Sequence, residues 1–302
     1  MIFQEVSPRD GLQIEPVWVP TADKIRLIDA FSRMGFSRIE VSSFVSPKAI
    51  PALADAADVF AGITRNPEVV YVALVPNLRG AERALQAGAG ELNLVMSAGE
   101  THNLANMRMT GEQSFAAFAD IVNSVRATDV MLNGTVATAF GCPFEGDQPD
   151  DKILALVLRY LDLGVHGITL ADTTGMANPV QVERLVARVL ALAGPDRLTL
   201  HFHNTRGLGL ANVLAAHRAG ARRFDAALGG LGGCPFAPGA SGNICSEDAI
   251  AMAEEIGIPT GIDLPALIAL SRTLPALLGH DVPGQVMKAG RVGDLHPAPV
   301  AA

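Results

Sequence analysis

Gly167-Ile168-Thr169-Leu170, then the amphipathic run Pro179 to Ala193, then Leu198-Thr199-Leu200-His201-Phe202, make one strand, helix, strand unit, and its repetition decides the fold. A short β-branched run followed by a helix long enough to cross back over a sheet feeds a parallel neighbour. The same alternation predicts strands over residues 2–6, 38–42, 69–74, 91–96, 130–137, 167–170, 198–202 and 223–226. It predicts helices over 21–34, 78–87, 113–126, 150–163, 179–193, 208–219 and 246–256. Eight strands alternating with helices within about 260 residues predict an α/β fold of the TIM (β/α)8 barrel type. An open doubly wound sheet is the alternative, because periodicity alone does not close a ring. Residues 264–278 predict one further helix, so residues 1–278 are expected to form a single catalytic domain. Residues 279–302 form a Pro- and Gly-rich tail, expected as a mobile lid or a frayed end.

The chain of 302 residues is 49% hydrophobic and 18% charged, enough apolar material for a large core. Its formal charge of -8 and pI near 5.3 exclude the clustered Lys and Arg that nucleic acids or anionic membranes require, and point to a small-molecule partner. Cys142, Cys234 and Cys245 are too few and too scattered for a disulfide framework or a zinc site. No apolar run has the length of a membrane span, and Met1-Ile2-Phe3 passes into polar loop sequence without room for a signal peptide. A cytoplasmic location is expected.

Active sites of such barrels lie where the strands end, so chemically capable residues are collected there. The first strand leads into Ser7-Pro8-Arg9-Asp10-Gly11, the second carries Glu40, the sixth ends at Asp172, and the seventh carries His201 and His203. Residues two apart on a strand share a face, so both imidazoles are aimed at the mouth and can grip a divalent cation. With Asp10 and the amide of Asn243 added, two nitrogens and two oxygens suit Mg²⁺ or Mn²⁺ with open water positions. Gly229-Gly230-Leu231-Gly232-Gly233-Cys234-Pro235 and the Asn243 that follows it can be neither helix nor strand, and a loop of that cost serves a site. Cys234, exposed on it, can donate a proton to a carbanion. Arg9 beside the cation can neutralise a developing enolate oxygen. Glu40 and Asp172 are left between capping, orienting and catalytic roles.

In this order, Pro8-Arg9-Asp10-Gly11-Leu12-Gln13, Ile39-Glu40, Ser43-Phe44-Val45-Ser46-Pro47-Lys48, Gly141-Cys142-Pro143-Phe144-Glu145-Gly146, Asp172-Thr173 and the glycine-rich cysteine loop resemble the hydroxymethylglutaryl-CoA lyase family from about residue 4 to residue 278. The resemblance implies a metal-assisted retro-Claisen cleavage of 3-hydroxy-3-methylglutaryl-CoA to acetyl-CoA and acetoacetate, in a homodimer. It implies that Glu40 holds Arg9 or a metal ligand, that Asp172 contacts the substrate hydroxyl or relays its proton, and that Gln13 binds substrate with Arg9. Lys48, Lys288 and Arg291 are the candidates for the CoA phosphates. Members of the family often carry Asp after the second His and an aromatic two residues later, where this chain has Asn204 and Arg206. The acyl group is therefore expected to differ, with a carboxylate reaching Arg206; citramalyl-CoA or a longer-chain analogue is the alternative substrate. A Claisen-condensing acyltransferase of the same superfamily is disfavoured by the chain's length, and a barrel that binds without turnover has no need of the exposed thiol.

Overall fold

The computed structural model describes residues 1–233 and 242–295. Its strands are β1 Ile2–Glu5, β2 Arg38–Ser43, β3 Val70–Leu74, β4 Glu91–Ser97, β5 Met131–Ala137, β6 Gly167–Asp172, β7 Leu198–Phe202 and β8 Arg223–Ala226. The helices are α1 Thr21–Arg33, α2 Ala56–Gly62, α3 Leu78–Gln86, α4 Glu100–Met107, α5 Gly111–Val125, α6 Asp150–Leu163, α7 Pro179–Ala193, α8 Gly209–Arg218, α9 Ser246–Glu255, α10 Leu264–Ser271, α11 Leu274–Leu278 and α12 Val286–Ala289. Neighbouring strands pair in parallel in chain order, and β8 pairs back onto β1 with Ile2 opposite Arg223 and Glu5 opposite Ala226. That closure establishes the barrel and overturns the open doubly wound alternative, in which two edges would stay unpaired.

Predicted and observed strands agree to within two residues at their ends. The short helices α2 and α4 were not predicted, since seven or eight residues show little more than two turns of periodicity. The helix predicted over 264–278 is two helices. Pro275 has no N–H, and its ring collides with the carbonyl four residues back, so the chain turns between α10 and α11. Beyond α11 the chain stays on the body. Val282 and Met287 are buried, Gly284 N donates to Gly229 O at 3.0 Å, and the Gln285 and Val286 amides reach the Asp248 carboxylate.

Local chemistry sets the helix starts: Asn77 caps α3, Thr110 and Gln113 form a capping box on α5, and Asn178 with Pro179 opens α7. The outer faces of the strands carry the apolar core. On α6, Tyr160 stacks on Phe118 with ring centres 5.7 Å apart, and its hydroxyl donates to the carbonyls of Leu94 (2.9 Å) and Thr135 (3.2 Å). The helix thus lies flat on β4 and β5, and Gly134 is the residue beneath the ring. A Cβ there would strike Tyr160, so Gly134→Ala is expected to destabilise by about 1–3 kcal/mol, as overpacking does. Urea unfolding checks it; an unchanged midpoint would show that the helix can lift without cost.

Candidate active site

Pro8 sits in the first turn of a five-residue π-helical segment, Ser7–Gly11, in which the amides of Arg9, Asp10 and Gly11 converge on Val6 O. Wide turns of this kind recur at functional sites, because they push consecutive side chains out of a regular helix. Here they present Arg9 and Asp10. Arg9 Nε and Nη2 lie 2.7 and 2.6 Å from Glu40 Oε2, and Nη1 lies 2.5 Å from Asp10 Oδ1. The register of β2 against β3 shifts immediately after Glu40, a local irregularity that re-aims side chains beside it. Burial acts to lower the Arg9 pKa, but Glu40 and Asp10 more than offset it, so the guanidinium is held charged. Burial likewise raises Asp10, yet Arg9, both imidazoles and the Asn243 amide hold its carboxyl down at about 2.

His201 and His203 face each other from β7 and the residue beyond it, Nε2 to Nε2, at 3.1 Å. Each Nε2 is 3.9 Å from Asp10 Oδ2. His201 Nδ1 lies 3.1 Å from Asp225 Oδ2 on β8, a contact that favours a proton on Nδ1 and a lone pair on Nε2. Two buried nitrogens and a carboxylate oxygen therefore converge on one point, with His203 Nδ1 unpartnered in the structure. Such a donor set fits a divalent cation, and Asp10, His201 and His203 form a group able to hold one. Asn243 stands beside them, bridged to His203 as a strand partner. Its side-chain nitrogen, not the oxygen expected as a ligand, faces Asp10, donating to Asp10 Oδ2 at 2.7 Å and to Leu231 O at 2.9 Å. Gly242 precedes it with φ +95°, and a Cβ there would strike the carbonyls of Gly230 and Gly232. Only glycine allows the two arms of the loop to approach so closely.

Asp172 ends β6. Its Oδ1 accepts from Met176 N (2.7 Å) and Ala177 N (3.1 Å), while Oδ2 is buried and unpartnered. Burial raises its pKa to about 6. Arg206 lies across from it: Nη1 donates to Thr174 O and Gly175 O, each at 2.9 Å, so the side chain ties the β7 loop to the β6 loop. Gln13 is half-buried in the turn after Asp10, and Lys48 is exposed in the turn after β2. Lys288 and Arg291 are ion-paired with Asp281 and Asp294. Cys234 lies outside the described residues, as do residues 235–241; Gly232, two positions earlier, packs against the Asp10 backbone and the Asn243 amide.

Two carboxylates here were missed in the sequence. Asp225 alternates with apolar neighbours on β8 as Glu40 does on β2, so the same signal was present. Glu5, fully buried on β1, accepts from Ser7 N (2.8 Å), Leu228 N (3.0 Å) and Ser246 Oγ (2.7 Å). It joins the start of the Arg9–Asp10 turn, the start of the glycine-rich loop and the start of α9, three residues after Asn243.

The HMGL-like family model matches residues 1–274. A hydroxymethylglutaryl-CoA lyase from Bacillus subtilis is 43% identical over 283 residues, covering 94% of this chain and 95% of that protein. An (R)-citramalyl-CoA lyase from Chloroflexus aurantiacus is also 43% identical, over 298 residues, 95% of this chain and 94% of that one. A solved structure of an HMG-CoA lyase from Acenitobacter baumannii, in complex with coenzyme A and 3-methylmalate, superposes with a TM-score of 0.97 at 69% identity, covering 99% of this chain and 98% of that chain.

Glu5 carries a thermodynamic signature. Burial raises its pKa to about 7, above the unfolded value near 4.5. The folded state then holds more protons, so stability is full below about pH 4.5 and falls as pH rises through 7, by something of the order of 3 kcal/mol. Glu5→Gln, which keeps the acceptor for both amides, is expected to lack this component: between pH 5 and 8 the wild type should lose melting temperature relative to the variant. A constant difference across that range would contradict the assignment.

Proposed function

The chain belongs to the HMGL-like family and is a lyase, and on that premise we propose that it cleaves 3-hydroxy-3-methylglutaryl-CoA to acetyl-CoA and acetoacetate. The observation that carries this reading is the meeting of Arg9, Asp10, His201 and His203 at one point of the barrel mouth. A divalent cation, Mg²⁺ or Mn²⁺, would be held by Asp10, His201 and His203, with Asn243 joining after a half-turn of its carboxamide, and supplies a Lewis acid that acidifies the substrate's tertiary hydroxyl.

The remaining chemistry belongs to side chains. Asp172 Oδ2 is an open acceptor for the hydroxyl proton, and a pKa near 6 lets it take that proton near neutral pH and give it up again. As the proton leaves, the alkoxide lone pair forms the carbonyl double bond of the ketone, and the pair of the breaking carbon–carbon bond departs with the thioester as its enolate. Arg9, pinned through Glu40 and Asp10, keeps its remaining N–H groups for the enolate oxygen. Cys234 then protonates the enolate carbon, delivered by a loop whose first residues lie against Asp10. Gln13 and Lys48 are assigned to the acyl-CoA, Lys48 to its phosphates, since Lys288 and Arg291 already have carboxylate partners. The free buried thiols of Cys142 and Cys245 support a reducing, cytoplasmic setting. Residues 1–278 act as one catalytic domain, and a homodimer is suggested by the family resemblance.

A second substrate, citramalyl-CoA, is favoured by the 43% identity to an (R)-citramalyl-CoA lyase, and its carboxylate, like that of hydroxymethylglutaryl-CoA, would meet Arg206. Its guanidinium is anchored at the mouth by two carbonyls, placed to meet an acyl carboxylate. A panel of 3-hydroxyacyl-CoA thioesters, with acetyl-CoA release as readout, decides between them. Hydroxymethylglutaryl-CoA is expected to be cleaved with the highest kcat/KM, and Arg206→Ala to raise KM by about tenfold through the lost charge-assisted contact. Preference for another thioester would overturn the substrate, and an unchanged KM would remove Arg206 from the acyl site. Cys234→Ser is expected to lower kcat by two or more orders of magnitude, roughly the worth of a general acid; retained turnover would dismiss the thiol.

A further inference from the structure

Barrel lumens are filled for the most part with branched apolar side chains. This one is not. Glu40 on β2, Asn93 on β4, Asn133 and Thr135 on β5 and Thr169 on β6 are all buried and hydrogen-bonded to one another. Because β2 and β4 are not neighbours in the ring, Glu40 and Asn93 can meet only across the inside.

The network has a direction. Glu40 Oε1 is a carboxylate oxygen and accepts, so it is the Asn93 amide nitrogen that donates to it, at 3.1 Å. Asn93 Oδ1 is then the acceptor for Thr135 Oγ1 at 2.7 Å and Asn133 Nδ2 at 3.1 Å, and Asn133 Nδ2 also reaches Thr169 Oγ1 at 3.0 Å. At its other end, Glu40 Oε2 takes Arg9 Nε and Nη2. Four strands contribute polar groups, and the row ends on the guanidinium. Burying such groups is costly when a partner is lacking, so a row of them is stable only when every member is paired. A leucine at position 93 would fill similar volume without that demand, but it would leave Glu40 Oε1 buried and unpartnered, and Glu40 free to rotate with Arg9 attached.

We propose that Asn93 is a positioning residue for bond cleavage: by holding the second oxygen of Glu40 it fixes the angle at which Arg9 meets the enolate oxygen. The proposal rests on the role given to Arg9 above. It makes the polar lumen part of the reaction's machinery, with Thr135, Asn133 and Thr169 keeping the Asn93 amide from turning over.

The test compares Asn93→Ala in two backgrounds. In the otherwise native enzyme, kcat should fall by about tenfold or more with KM within about twofold, because only the transition-state contact is loosened. The acid limb of the kcat profile should move to higher pH: Arg9, Asp10 and Asn93 are the charged and polar groups that face Glu40, and losing the one neutral donor makes its anion harder to keep. In an Arg9→Met background the same substitution should change kcat by less than about twofold, since the residue through which it acts is gone. Equal losses in both backgrounds, or no loss in the first, would overturn the proposal. A readout without turnover separates it from the assignment of function. With ¹⁵N-labelled arginine, the Arg9 Nε–H is expected to give a resonance protected from solvent exchange in the native protein and to lose that protection in Asn93→Ala. Protection that survives the substitution contradicts the proposal, whereas a native protein that cleaves no thioester contradicts the function alone. Asn93→Ser, which keeps a donor in a smaller side chain, carries the same comparisons if the alanine variant does not fold, with partial recovery of kcat expected and full loss counting against a hydrogen-bonding role.

Discussion

The Asp10 carboxylate accepts from Arg9 through one oxygen and from Asn243 through the other, and the second oxygen also looks onto both imidazoles of the His-x-His pair. Three chain segments thus converge on one largely buried charge: the turn after β1, the end of β7, and the returning arm of the glycine-rich loop, while Glu40 on β2 holds Arg9 in place. A buried anion is costly unless it is surrounded in this way, and removing any one partner would leave the others mispaired. The need to satisfy Asp10 explains the π-helical turn that carries it, the glycine at 242 that lets the loop close on it, and the Glu5 clamp that fixes both ends of that loop.

Inside and outside of the barrel obey different chemistry. The outer strand faces are apolar and press against helices, as with Tyr160 on α6 over Gly134, whereas the lumen is polar from Asn93 up to Arg9. The outer shell supplies stability. The inner one supplies orientation, and its side chains are placed by strand register rather than by flexible loops, which suits groups that must hold an angle during a reaction. The proposed proton donor, Cys234, lies outside the described residues.

The strands were legible in the sequence because a strand declares itself within five or six residues, and the His201–His203 pair because period two needs only local spacing. Closure was not, since β1 and β8 meet through hydrogen bonds between residues more than two hundred positions apart. Separation in sequence also hid which polar strand residues support the site. Asp225 reaches His201 across 24 positions, Asn93 reaches Glu40 across 53, and Glu5 reaches Leu228 across 223. Each residue looks like an ordinary strand polar group until the barrel brings its partner. The break between α10 and α11 could have been read locally from Pro275.

The central claim is that Asp10, His201 and His203 gather a divalent cation at the mouth of the barrel, and a crystal grown with Mn²⁺ tests it most directly. Anomalous scattering should place one ion within bonding distance of Asp10 Oδ2 and both Nε2 atoms, and His203→Ala should abolish that peak. An ion seated elsewhere, or full activity in a protein whose crystals hold no ion at these three residues, would contradict the account.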